Sequence, residues 1–377
     1  MLYRKFGKLD CQVSALGFGC MRLPLQGDDS AQIDEAEAIR MIRHAVDEGV
    51  NYIDTAYPYH KGQGERLVAK ALRDGYRSRV YLATKFPSWI LKEPADFDRL
   101  LNEQLEKLET DVIDFYLMHS LDGKKWDTLV ENGVFDAMDA YKRSGKARYV
   151  GFSFHDELPQ FKRIIDAYDW DFCQIQFNYL DENTQAGLEG LRYAAARNIG
   201  VVVMEPLLGG KLAIEPPEPV ARLWEQAPVK RTPAQWALRW VWNHPEVSVV
   251  LSGMSTYPQV EDNLRTARQA VASSLTPEEL AIIDRVKAAY RSLPRIDCTG
   301  CDYCMPCPFG VKIPGNFRLY NGLVTYNDQT RKSAYHKLGE NERAANCRSC
   351  GKCEKVCPQH LPIRELMKTV ASAMDKE

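Results

Sequence analysis

The chain has 377 residues, 45% of them hydrophobic and 27% charged, with a formal net charge of −2. That length suits one large domain plus a small one, and the composition supports a sizeable core. The balanced charge argues against a nucleic-acid-binding surface. No apolar run reaches membrane-span length and the first residues lack a secretory signal, so a cytoplasmic location with no membrane partner is expected.

The predicted elements alternate up to about residue 290. LYRKFGKLDCQVS (2–14) reads as a short hairpin able to plug the floor of a barrel. VSALGFG then reads as a first strand. EAEAIRMIRHAVDEG (35–49) reads as a helix, with Ala38, Ile42, Ala45 and Val46 on one face and Gly49 ending it. Further strands are expected at 50–55, 80–85, 112–119, 147–153, 171–176, 200–205 and 247–252. These runs are apolar on both faces, as in a parallel sheet covered by helices. Eight such units point to an α/β fold, a (β/α)8 TIM barrel. An open doubly wound sheet is the alternative. It calls for a glycine-rich turn after the first strand, and GFGCMRL is not GxGxxG. A last helix over 276–290 has Thr276 as N-cap and Pro277 in its first position. The barrel domain is therefore expected over 1–290 and a second, cysteine-rich domain over 291–377. Residues 318–346 read as polar and partly helical, especially SAYHKLGENERAA (333–345).

Barrel chemistry sits where strands end. Asp54, Lys85 and His119 close the second, third and fourth strands, 31 and 34 residues apart, and Tyr59 follows Asp54 by five. A buried lysine beside a tyrosine favours phenolate, and an aspartate holds that lysine charged. A tyrosine so tuned donates a proton to a carbonyl oxygen, and a histidine beside it orients or polarises that carbonyl. Structural ion pairs and a core histidine are the plainer reading of each residue taken singly.

The segments NYIDTAYPY (51–59), YLATK (81–85) and DVIDFYLMH (111–119) resemble the aldo-keto reductase family over roughly residues 1–290. The resemblance implies a catalytic tetrad of Asp54, Tyr59, Lys85 and His119, with Tyr59 chosen over Tyr57 by the spacing D-[TS]-A-x-x-Y. It implies NADPH or NADH as cofactor and a small-molecule carbonyl substrate, or the reverse alcohol oxidation. Nicotinamide contacts map to Ser153, Gln174 and Met204. Pyrophosphate contacts map to Pro206, Leu207, Gly209 and Lys211, and adenosine contacts to Ser252, Gly253, Met254, Gln259 and Asn263. Phe154 and Met204 depart from the family pattern. The segment 252–263 holds neither Lys nor Arg, with Gln259 where an arginine is often found, which puts NADPH preference in question. A bound flavin in place of NAD(P)H stays open. Trp89 and Trp126 read equally as pocket lining or as barrel caps.

Eight of the eleven cysteines lie beyond Pro294. In a reducing compartment such clusters read as metal ligands rather than disulfides. Cys347, Cys350, Cys353 and Cys357-Pro358 follow C-x2-C-x2-C-x3-C-P, the bacterial ferredoxin run whose last cysteine reaches the other cluster. Cys298, Cys301, Cys304 and Cys307-Pro308 repeat it with one residue fewer. The crossed assignment gives one [4Fe-4S] cluster to Cys298, Cys301, Cys304 and Cys357, and another to Cys347, Cys350, Cys353 and Cys307. The shortened spacing leaves open whether one or two sites fill, with two preferred, and tetrahedral zinc is the alternative metal. Cys11, Cys20 and Cys173 read as buried thiols. The whole chain resembles ferredoxin-type aldo/keto reductases with this tail. The clusters are then structural, or they link the barrel to a ferredoxin or flavodoxin as one-electron partner. An electron-transfer protein is the competing reading of the whole, and a redox sensor with a relic barrel is the third.

Overall fold

Eight parallel strands close on themselves in the computed structural model, which describes residues 1–375. They are β3 (Leu16–Gly19), β4 (Tyr52–Asp54), β5 (Tyr81–Phe86), β6 (Ile113–Leu121), β7 (Ala147–Phe154), β8 (Phe172–Gln176), β9 (Gly200–Met204) and β10 (Val249–Gly253), numbered after a hairpin of β1 (Tyr3–Lys5) and β2 (Gln12–Ser14). Each barrel strand pairs with its neighbours in sequence, and β10 closes the ring by pairing with both β9 and β3. This is the (β/α)8 architecture expected from the alternation. All eight strands fall where the apolar runs lie, because a strand buried on both faces must be apolar along its length.

The hairpin seals the barrel floor. Phe6 is fully buried against Tyr52, Phe115 and Phe172, with Leu9, Cys11 and Val13 in the same cluster. Gly7 is required beside it: φ is +55°, and a Cβ there would stand 2.4 Å from the Gly200 nitrogen. The first long helix runs Glu35–Asp47 behind an Asp34 cap and gives way to Gly49 at φ +96°.

The chain forms two compact units. One comprises Met1–Gly209 and Gln235–Leu275 and contains the barrel strands; the other comprises Gly210–Ala234 and the chain from Thr276 onward. The second unit contains the helix Pro277–Ser292. Its start is a capping box between Thr276 and Glu279, and the Glu279 carboxylate also pairs with Arg231 at 2.5 Å.

The cysteine-rich part of that unit has its own core of Phe317, Tyr335, Ile363, Met367 and Val370. Its main helices are Ile313–Tyr326 and Ile363–Met374. Each begins six residues after a Cys-Pro pair, Cys307-Pro308 or Cys357-Pro358, which gives the two halves matching local structure. Buried Asn316 ties the first helix to the following loop, donating to the Lys312 and Glu342 carbonyls and accepting from Ala344 N. Residues 318–346 contain helix, but 333–345 holds less of it than expected. The helix Thr330–His336 ends early and only short 3-10 turns follow. The longer helix starts at Ile313, despite Gly315 and Gly322, because burial of Ile313, Phe317 and Leu323 outweighs propensity. The tail was expected to run to 377; its last two residues lie outside the described residues. Among those described, no helix is long and apolar enough to cross a membrane.

Candidate active site and cysteine cavities

The strand ends bring the four titratable residues together. Lys85, fully buried, donates to Asp54 Oδ1 at 2.6 Å, to the Thr55 carbonyl at 2.8 Å and toward the Tyr59 hydroxyl at 3.3 Å. The His119 ring centroid lies 6.3 Å from that of Tyr59 and 5.2 Å from that of Trp89. Tyr57 turns elsewhere: its hydroxyl bonds Glu103 at 3.0 Å and Lys107 covers its ring. A buried polar layer stands behind Lys85, where Gln104 Nε2 donates to Glu65 and to the Lys85 carbonyl, and Thr84 donates to Glu65.

Electrostatics in this cluster follow burial first. Burial opposes the Lys85 charge, but Asp54 and Tyr59 outweigh it and hold the ammonium above the ordinary lysine range. Burial pushes the Tyr59 phenol up, and the Lys85 charge only partly pulls it back. The net direction at Tyr59 is therefore opposite to the one expected from the lysine alone. Burial, then the Lys85 charge, holds His119 well below the usual histidine range, so its imidazole is neutral.

His119 owes its placement to a bulge. The β6–β7 register shifts between Met118 and Leu121, with Ser120 at φ +55°. Ser153 Oγ accepts the Ser120 N–H at 2.7 Å and pins that bulge. The next residue, Phe154, is buried against Phe161.

Of the expected cofactor residues, Ser153 and Gln174 lie in β7 and β8, Met204 ends β9, and Ser252 and Gly253 end β10; the others lie beyond the strands. Gln174 Nε2 donates to the Met204 sulfur at 3.4 Å, while its buried Oε1 has no partner among the described residues. Asn263 Nδ2 donates to Ser252 Oγ at 2.9 Å, and Gln259 Oε1 accepts from Ser255 N at 2.8 Å. Pro206 and Met254 are buried, Leu207 half-buried and Gly209 exposed. Lys211 falls in the second compact unit, where its ammonium covers the Tyr326 ring. Trp126 is buried against Trp170 and Phe135, whereas Trp89 is 48% exposed beside His119.

Arg22 escaped the sequence reading. Its side chain runs along Gly253 and ends by Gly209, where a built Cβ would stand 3.5 Å from the guanidinium. Its carbonyl accepts from Ser255 Oγ at 2.8 Å. The guanidinium has no ion-pair partner among the described residues. The signal was available: Arg22 follows the end of the first barrel strand, as Asp54, Lys85 and His119 close theirs.

In the second unit the eight tail cysteines surround two cavities. One, of about 340 Å³, is lined by Cys304, Cys307, Cys347, Cys350 and Cys353. A tighter one is lined by Cys298, Cys301, Cys304 and Cys357. The first takes Cys304 and Cys307 from the earlier run, and the second takes Cys357 from the later one. Among the described residues no three His, Cys, Asp or Glu side chains close on a single metal-ion position. Cys11, Cys20 and Cys173 are buried, which raises their thiols, Cys11 to about 11.

A (β/α)8 barrel with a lysine-centred cluster at its strand ends, followed by a cysteine-rich lobe, defines a redox protein of two parts. The family model of the aldo/keto reductase family matches residues 15–288, and that of a 4Fe-4S dicluster domain matches 297–361. The chain belongs to the aldo/keto reductase family, a family of oxidoreductases that bind NAD(P)H, and carries a C-terminal 4Fe-4S domain. It is 27% identical to L-galactose dehydrogenase of Arabidopsis thaliana over 312 residues, 77% of this chain and 95% of that protein. It is 28% identical to the uncharacterized oxidoreductase YrpG of Bacillus subtilis, covering 76% and 96%. Among solved structures, the holo form of aldo-keto reductase AKR11C1 from Bacillus halodurans superposes with a TM-score of 0.63 at 28% identity, covering 76% of this chain and 96% of that one.

Proposed function

We propose that the barrel reduces a small carbonyl compound with NAD(P)H, or oxidises the corresponding alcohol, through Asp54, Tyr59, Lys85 and His119. The observation that carries this reading is Lys85 bonded to both Asp54 and Tyr59 with His119 alongside. When bound, the nicotinamide supplies the hydride that reaches the carbonyl carbon. Tyr59, protonated at neutral pH, gives its proton to the carbonyl oxygen, so hydride and proton together complete the alcohol. Lys85 balances the phenolate left behind, and Asp54 keeps Lys85 charged and oriented. Neutral His119 orients the carbonyl without adding charge, and the exposed Trp89 ring offers an apolar wall beside it.

The residues fit the nicotinamide group. The unpartnered Gln174 Oε1 would accept from a carboxamide NH2, and the Ser153 hydroxyl keeps a donor to give after accepting from Ser120. Arg22, ending by Gly209, would supply a cation for the pyrophosphate. Replacing Tyr59 with Phe and assaying a panel of aldehydes with NADPH and NADH tests the reading. Turnover should fall about 10²- to 10⁴-fold; unchanged turnover sinks it.

The two cysteine-lined cavities favour a second role in the same chain. Clusters held there would supply single-electron exchange with a carrier protein of the ferredoxin or flavodoxin kind. An anaerobic titration with NADPH, followed by EPR, reports whether the nicotinamide and the clusters share electrons.

A further inference from the structure

We propose that the face around the Cys307–Cys347–Cys350–Cys353 cavity is the docking surface for an acidic one-electron carrier protein. The inference rests on the electron-exchange role just given to the clusters. Tyr303, Phe309 and Val356 line this cavity and are 70%, 43% and 50% exposed. These three are the exposed large hydrophobic side chains found among the described residues of the second unit other than Val229. Water-facing apolar groups gathered at one cofactor site mark an interaction surface.

Charge selects the partner. Arg348 and Lys352 line the same cavity, and Lys355 is exposed next to Val356. None of the three has an ion-pair partner among the described residues, whereas Arg364 is neutralised by Glu354 at 2.8 Å. Residues 291–377 hold 14 Lys and Arg against 9 Asp and Glu, while residues 1–290 hold 35 against 42. An acidic carrier is thus drawn to the lobe. An apolar centre with a charged rim is the arrangement of a transient interface. At this face one electron passes: the carrier is oxidised by one electron, the cluster is reduced by one, and no bond or proton changes hands.

The test uses anaerobically prepared full-length holoprotein and a purified acidic [2Fe-2S] ferredoxin as probe, with binding followed by calorimetry at low and high salt. Binding is expected at about 20 mM salt and should weaken at least about tenfold at 0.5 M. Arg348→Gln/Lys352→Gln/Lys355→Gln should weaken it about tenfold or more and flatten the salt dependence. Tyr303→Ser/Phe309→Ser should weaken it at every salt concentration. Iron and sulfide content, measured on each variant, must match the unaltered protein. If the triple variant loses iron, Lys355→Glu, whose side chain stands outside the cavity lining, replaces it and should weaken binding with full iron. Undiminished binding by an iron-replete variant overturns the proposal. So does absence of ferredoxin binding at low salt, or preference for a basic cytochrome or for anionic vesicles. Aldehyde reduction by the same preparations reports on the barrel separately: its absence counts against the carbonyl reading and leaves the docking result standing.

Discussion

The Lys85 ammonium lies 3.3 Å from the Tyr59 hydroxyl, yet the phenol still titrates above its ordinary value because burial outweighs that charge. The consequence is directional. A group whose value rises stays protonated to higher pH, so Tyr59 is a proton donor through the neutral range and becomes a base only in strong alkali. Carbonyl reduction should be flat through the neutral range and should not fall until beyond the ordinary tyrosine range. His119, held well below the histidine range, adds no inflection near pH 6.5. Replacing Lys85 alone strands the Asp54 carboxylate, so the pair Asp54→Asn/Lys85→Met is the cleaner variant. Without the cation the phenol rises further. The alkaline limb of the pH profile should then move to higher pH in the double variant. An unmoved alkaline limb would remove Lys85 from proton transfer.

Arg22 touches two loops that are distant in sequence, through Gly209 and Gly253. A guanidinium meeting a phosphate is worth about 1.5–3 kcal/mol. Arg22→Ala should therefore raise the KM for the nicotinamide cofactor about tenfold or more with little change in kcat, and Arg22→Lys should restore part of it. The guanidinium ends at Gly209, in the loop read as the pyrophosphate contact. The penalty should accordingly be equal for NADH and NADPH. A penalty confined to NADPH would move Arg22 to the 2′-phosphate.

Phe6 has no counterpart in the chemistry, and it holds the barrel floor against Tyr52, Phe115 and Phe172. Phe6→Ala leaves a cavity that neighbouring rings cannot fill. It should cost about 3–5 kcal/mol in denaturant unfolding while the KM for cofactor stays unchanged. A loss under about 1 kcal/mol would mean the hairpin is an ornament on a self-sufficient barrel.

Much of this was legible because period and position are written in one dimension. Asp54, Lys85 and His119 each end an apolar run, so their convergence follows once the strands are arranged as a barrel. The Cys-Pro repeats announced a lobe with two matching halves. What stayed hidden depends on three dimensions. The bulge that places His119 is a two-strand property, a left-handed Ser120 held by Ser153 on the next strand. The role of Arg22 depends on two glycine loops arriving beside it. The direction of the Tyr59 shift is a balance between burial and one charge, and burial cannot be weighed before packing is known. The helix Ile313–Tyr326 was legible only as part of a partly helical 318–346, and its start at Ile313 was not, because its glycines and asparagines mask a buried stripe.

Cys307 lines one cavity with Cys347, Cys350 and Cys353, although forty residues of chain separate it from the nearest of them, whereas Cys357 lines the other with Cys298, Cys301 and Cys304. If clusters fill both cavities, Cys307→Ser should disturb the cluster of the later run and leave that of the earlier run intact, and Cys357→Ser should do the reverse. Iron content should fall from about eight to about four per chain in each variant if serine is not accepted as a ligand. The two survivors should give different EPR spectra on reduction, since their surroundings differ: Tyr303 and Arg348 at one, Pro314 and Gln359 at the other. Cys304 lines both cavities, so Cys304→Ser is the discriminating third variant. A spectrum matching that of Cys357→Ser assigns it to the earlier run, whereas loss of the later run's signal would show that the shortened spacing has exchanged the roles of Cys304 and Cys307.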